Sequence, residues 1–122
     1  HAGWRGLCEG IIEATIKKLP AEAESLLVWL GPAIGANVYE IGKEVYDAFT
    51  AIDEDAKEAF TPTTEGHWLF DIYQLATLRL NTIGIKNIYG GEHCTFNEEE
   101  DFFSYRRDNV TGRMASMIWI DK

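Results

Sequence analysis

The sequence predicts an α+β (mixed α/β) fold, a layered mixed β-sheet flanked by helices. Apolar residues recur at helical spacing in two long stretches, several short apolar runs stop at Gly-Pro or Gly-Gly, and no internal repeat or low-complexity segment is present. The 122 residues are 46% hydrophobic and 25% charged, which suits one globular domain rather than a disordered chain.

From Trp4 the apolar stripe runs through Leu7, Cys8, Ile11, Ile12, Thr15, Ile16 and Leu19, so one amphipathic helix is expected, stopped by Pro20. Glu13 and Lys17 sit on its polar face at i, i+4. Ser25 to Leu30 reads as a buried strand, and Gly31-Pro32-Ala33-Ile34-Gly35 as a loop with unusual backbone angles. A helix follows over Lys43 to Phe49, then a second over Asp53 to Phe60 with Asp53 as its N-cap. Thr61 to Gly66 is turn chemistry, and Asp71 to Ile83 is a longer helix closed by Gly84. Ile85 to Tyr89 reads as a strand ending at Gly90-Gly91, and the acidic Asn97 to Asp101 as a solvated loop or helix start. Asp108 to Gly112 is expected to be a hairpin-like turn leading to a closing strand over Met114 to Ile120.

Twenty acidic residues against eleven basic ones leave a net charge of −9, which excludes a nucleic-acid coat, because such binding rests on clustered Lys and Arg. No apolar run approaches the roughly 20 residues of a membrane-spanning helix. Two cysteines, Cys8 and Cys94, make no disulfide framework and are expected to be reduced thiols in a cytoplasmic protein.

Chemistry concentrates at the arginines. Four of the five, Arg5, Arg106, Arg107 and Arg113, lie in Gly-flanked or turn segments, where a planar guanidinium is well suited to phosphate or carboxylate. The competing expectation is that Arg106 and Arg107 merely pair with Asp108 and the acidic 98–101 stretch. His1 is a metal-ligand or acid-base candidate. His93 and Cys94 are adjacent and on a strand would point to opposite faces, so both rarely bind one ion. His67 beside Trp68 reads as packing or surface. No Walker-type phosphate loop, dinucleotide glycine motif, nucleophile elbow, H-E-x-x-H or paired C-x-x-C is present, which disfavours kinases, dinucleotide oxidoreductases and serine hydrolases.

Longer motifs add to this. His1-Ala2-Gly3-Trp4-Arg5-Gly6-Leu7, Leu30-Gly31-Pro32-Ala33-Ile34-Gly35, Tyr39-Glu40-Ile41-Gly42-Lys43-Glu44-Val45, Cys94-Thr95, Phe102-Phe103-Ser104-Tyr105-Arg106-Arg107-Asp108 and Thr111-Gly112-Arg113 occur in that order. Over essentially the whole chain they resemble the purine nucleoside phosphorylase family formerly described as laccase-domain or multicopper polyphenol oxidoreductase proteins.

The resemblance implies phosphorolysis of adenosine, inosine, guanosine or methylthioadenosine to free base and ribose 1-phosphate, with adenosine deamination as a second activity. It also implies zinc held by two histidines and a cysteine, of which only His1 falls in these residues. Residues 1–122 are then expected to be the C-terminal portion of a larger single-domain fold, with the other ligands in an N-terminal part. Arg5 and Arg107, with Arg106 or Arg113, are the residues expected to neutralise phosphate, and His1 and Arg5 those at the chemistry. Tyr39 joins the substrate-binding set, and the proton donor to the departing purine is left open between His93 and Tyr39. Two readings compete. One is copper-dependent oxidation of polyphenols, disfavoured by a chain with three histidines; the other is an inactive fragment or binding module.

Overall fold

The computed structural model describes residues 1–121 and shows parallel and antiparallel sheets flanked by helices. The elements are α1 (Trp4–Cys8), α2 (Ile11–Ile16), β1 (Leu27–Leu30), β2 (Glu40–Gly42), α3 (Lys43–Thr50), β3 (Phe60–Pro62), β4 (His67–Phe70), α4 (Ile72–Thr82), β5 (Asn87–Gly90) and α5 (Tyr105–Asp108). Short 3₁₀ turns cover Ala23–Ser25, Ala36–Val38 and Glu54–Ala59.

The strands divide between two sheets. β1 and β5 pair in parallel, Leu27 opposite Asn87 through Leu30 opposite Gly90, while β2, β4 and β3 form an antiparallel sheet in that order. Between the antiparallel sheet and α3 lies an aromatic core in which Phe60 stacks on Phe70 at 4.7 Å and Phe49 leans on both. Leu7 and Leu75 bring α1 and α4 onto the same core, each wholly buried. Leu7 thereby anchors the short segment that carries His1 and Arg5.

Four local expectations change. The first helix is two helices, because Gly10 takes φ 89°, a left-handed conformation that interrupts the ladder while keeping the apolar stripe inward. The 54–59 turn is 3₁₀ rather than α, although Asp53 does cap it by accepting the N–H of Asp55. β1 is half-exposed rather than buried, with Leu27 and Trp29 facing outward. After α5 there is no hairpin and no closing strand: Asn109 turns the chain with φ 58°, and residues 110–121 run on without helix or strand. The reason is physical, since no strand among the described residues lies beside Met114 to Ile120 to supply a ladder. The β3–β4 hairpin, hidden under the Thr61 to Gly66 turn chemistry, was the converse case of an unanticipated strand pair.

Asp71 caps α4 through the N–H of Gln74, and Gly84 closes it with φ 92°. Among the described residues no helix is long and apolar enough to cross a membrane. Cys8 and Cys94 are free thiols.

Candidate functional site

Because β1 and β5 run parallel, the loops that follow them leave the sheet at the same end. The 31–35 and 91–98 loops are bound together there. Thr95 N–H donates to the Ala33 carbonyl, Gly91 N–H to the Leu30 carbonyl, and Gly35 N–H to Cys94 Sγ at 3.2 Å. The hydroxyl of Tyr73, projecting from α4, accepts the Ala33 N–H and donates to the His93 carbonyl, both at 2.7 Å. Burial raises the Tyr73 pKa, so the phenol stays a donor at neutral pH.

On this support stands a histidine–carboxylate pair. His93 Nδ1 is 2.8 Å from Glu98 Oε1, while Glu98 Oε2 accepts the Cys94 N–H. The backbone N–H of Cys94, then His93, hold the Glu98 pKa down, and the hydrogen bond from Glu98 raises that of His93. The imidazole edge packs on Phe102. Among the described residues its Nε2 makes no hydrogen bond and faces a half-exposed environment. Sequence reasoning passed over Glu98 and Tyr73, since a Glu inside an acidic run and a Tyr inside a helix carry no local mark of a partner.

The arginines divide into two kinds. Arg107 is committed internally: its guanidinium donates to the carbonyls of Thr95, Phe96 and Phe102 and pairs with Asp108. Arg5, Arg106 and Arg113 instead lie against aromatic rings, over Trp4 at 4.8 Å, Tyr39 at 5.2 Å and Tyr105 at 5.8 Å. Among the described residues none of these three pairs with a carboxylate, in a chain with twenty acidic residues. Arg106 also donates to the Glu40 carbonyl at 2.9 Å, and Arg113 to those of Thr111 and Gly112. The ring of Tyr39 is buried, which raises the pKa of its phenol, with Arg106 opposing that shift. The structure thus brings Tyr39 and Arg106 into contact, and links Arg107 to the Cys94–Thr95 motif. His1 and Arg5 lie at the start of α1 and, among the described residues, make no hydrogen bond to either group.

A metal centre is not assembled from these residues. Among the described residues no three His, Cys, Asp or Glu side chains converge. His1 folds back near Gly3, Cys8 lies on the inward face of α1 with its pKa raised by burial, and Cys94 accepts the Gly35 N–H. His67 Nδ1 lies 3.1 Å from the Glu65 carbonyl in the β3–β4 turn. Two clefts beside α4, both lined by Glu58, Ala59 and Gln74, contain none of the candidate residues.

A family model described as multi-copper polyphenol oxidoreductase laccase matches residues 1–121. The chain is 56% identical over 123 residues to a purine nucleoside phosphorylase of Haemophilus influenzae, covering 99% of this chain and 50% of that protein. It is 52% identical over 120 residues to purine nucleoside phosphorylase YfiH of Escherichia coli, covering 98% and 49%. A crystal structure of a Neisseria meningitidis protein matches with TM-score 0.98 at 47% identity, over 100% of this chain and 50% of that one. The chain therefore spans about half the length of the curated relatives it matches.

Proposed function

The chain belongs to the multi-copper polyphenol oxidoreductase laccase family, and from that premise we propose that it forms part of a purine nucleoside phosphorylase. The observation that carries the reading is the placement of three arginines, Arg5, Arg106 and Arg113, each over an aromatic ring and, among the described residues, without a carboxylate partner in an acidic chain. A guanidinium resting over a ring keeps N–H groups available and loses less rotamer freedom when it takes an anion. Phosphate is the anion that phosphorolysis requires, and relatives named purine nucleoside phosphorylase over nearly the whole chain support that choice.

In this reading Arg106, resting on Tyr39, is the principal phosphate contact, with Arg5 and Arg113 adding charge and Tyr39 serving as the shelf that fixes the guanidinium. Arg107 acts at one remove, holding the 94–96 backbone in place. Displacement at the ribose C1′ develops negative charge on the departing purine. His93, held through Nδ1 by Glu98 with Nε2 free, is the group on these residues best prepared to deliver a proton there. The substrates are a purine nucleoside and inorganic phosphate. Deamination of adenosine is kept as a second proposed activity. His1 is proposed as the one zinc ligand of this chain; the described residues do not make a site by themselves, and no step is assigned to a metal.

The test uses these residues within the full family fold. Release of free base and ribose 1-phosphate from inosine or adenosine should depend on phosphate, and Arg106→Ala should raise the KM for phosphate about tenfold or more while that for nucleoside changes little. Base release independent of phosphate would overturn the reading. The family description favours one other reading, copper-dependent oxidation of polyphenols. Oxygen uptake with a phenol, paired with metal analysis of the purified protein, separates the two.

A further inference from the structure

Tyr73 spans two loops with one hydroxyl. It accepts the Ala33 N–H and donates to the His93 carbonyl, both at 2.7 Å, and among the described residues neither backbone group has another partner. The Ala33 carbonyl takes the Thr95 N–H directly, so Ala33, Thr95, His93 and Tyr73 close a ring of contacts. Gly91, with φ 86°, lets the 91–98 loop lie close on the tyrosine ring, since a Cβ there would stand 3.3 Å from Tyr73 Cδ1. The far end of the side chain is rooted in α4, whose Leu75, Ala76 and Leu80 are buried.

His93 is held at three places: its carbonyl by Tyr73, its Nδ1 by Glu98 and its ring edge by Phe102. Glu98 and Phe102 follow His93 on the same stretch of chain, so they orient the imidazole within that stretch. Tyr73 alone of the three comes from a helix, and it sets where the stretch lies against α4 and the 31–35 loop.

We infer that Tyr73 is a positioning residue for proton delivery by His93, its hydroxyl fixing the His93 backbone and through it the place of Nε2. The inference rests on the phosphorylase reading. With a carboxylate at Nδ1, that nitrogen keeps its hydrogen in both protonation states, and the proton that comes and goes is the one on Nε2. As a phosphate oxygen bonds to the ribose C1′, the C1′–N9 bond breaks and its electron pair passes to the purine. The Nε2 proton neutralises the purine at N7, leaving His93 neutral until water returns a proton. Such a transfer needs heavy atoms about 2.6–3.2 Å apart, so a small displacement of the loop is felt there. Phosphate affinity is not touched, because Arg5, Arg106 and Arg113 lie on other segments.

The test is Tyr73→Phe within the full family fold, which keeps the ring on Gly91 and removes only the hydroxyl. Two substrates are compared, inosine and inosine methylated at N7, whose purine is already cationic and departs without taking a proton. The kcat for inosine should fall about tenfold or more, KM for phosphate and nucleoside should stay within about twofold, and the methylated nucleoside should lose less than about twofold. The ratio of the two rates does not depend on the folded fraction, so partial unfolding cannot imitate this result. In a His93→Gln background Tyr73→Phe should change kcat by less than about twofold, because both act on one step. An unchanged ratio between the nucleosides overturns the inference, as does a full further loss on top of His93→Gln.

The His93 ring is followed separately by NMR, without substrate. Tyr73→Phe should lower its midpoint toward that of an ordinary histidine as the Glu98 contact loosens. The other groups around the pair, Glu92 and Asp101 near His93 and Asp71 and Cys94 near Tyr73, are the same in both proteins. A midpoint unmoved by Tyr73→Phe overturns the positioning whatever the activity. Base release without phosphate in the parent overturns the phosphorylase reading, and the proton-delivery role with it, while the midpoint still reports on the placement of His93.

Discussion

Arg79 of α4 reaches Glu13 of α2 across 66 positions of sequence, Nη1 to Oε1 at 3.1 Å, in a pair that is mostly shielded from water. Its Nη2 also donates to the Cys8 carbonyl, so one guanidinium ties α4 to both pieces of the interrupted first helix. Removing either partner leaves a desolvated charge, and Arg79→Ala or Glu13→Ala should cost about 1–3 kcal/mol, read from urea melts. Arg79→Lys should recover only part of it, because a single ammonium does not reproduce the fork. A loss below about 0.3 kcal/mol in both alanine variants would show the pair to be incidental.

The two neighbouring arginines of α5 should separate cleanly on substitution. Arg107→Ala deprives three carbonyls of their donor and should destabilise by about 2–4 kcal/mol in the same melts. Arg106→Ala lies on the surface and should stay within about 0.5 kcal/mol of the parent. Equal losses at both positions would refute the division between an internal and an available guanidinium.

The His93–Glu98 pair predicts a pH window. His93 is raised above its ordinary 6.5, so its contribution is complete below that value and is lost as pH rises through the folded pKa. Glu98 is lowered below 4.5, so its contribution is complete above that value and is lost as pH falls through the folded pKa. Both contributions are present together between about pH 4.5 and 6.5. The His93 ring should titrate by NMR above an exposed histidine such as that of an unfolded peptide, and Glu98→Gln should lower its midpoint. An unmoved midpoint would mean that the carboxylate does not hold the imidazole in solution.

Gly90 is required by its backbone and its neighbours alike. It holds φ 84°, and a Cβ there would run into the Leu30 carbonyl oxygen and the Trp29 indole. Gly90→Ala should therefore cost about 1–3 kcal/mol and loosen the β1–β5 pairing, visible as faster amide exchange at Val28 and Ile88. Gly66→Ala makes the useful control, with a positive φ and open space around it; it should cost less.

Legibility in the sequence followed the range of the interaction. Asp53 and Asp71 were readable as caps, or as the start of a helix, because a cap acts on backbone two or three residues away. Gly31-Pro32 and Gly90-Gly91 likewise marked real ends, whereas α2 stops at Ile16, ahead of Pro20. Gly10 misled, since a glycine inside an intact apolar stripe looks tolerated until its φ is known. The Met114 to Ile120 strand was an expectation from composition alone, and composition cannot say whether a ladder partner is within the chain. At the site, the ordered arginine motifs were visible, but the difference between Arg106 and Arg107 was not. Adjacent residues of one type have the same local signal, and only tertiary contacts with Tyr39 on one side and Thr95, Phe96 and Phe102 on the other distinguish them.

The parallel pairing of β1 with β5 also has a kinetic meaning. Each register pair is 60 positions apart in sequence, so this sheet cannot close until most of the chain between its strands has been gathered in. Loop-closure entropy makes such contacts slow to form. The antiparallel β3–β4 hairpin and α4 are local by comparison and can be in place first. The loops that Tyr73 joins would thus be among the last parts to assemble, and the histidine–carboxylate pair with them.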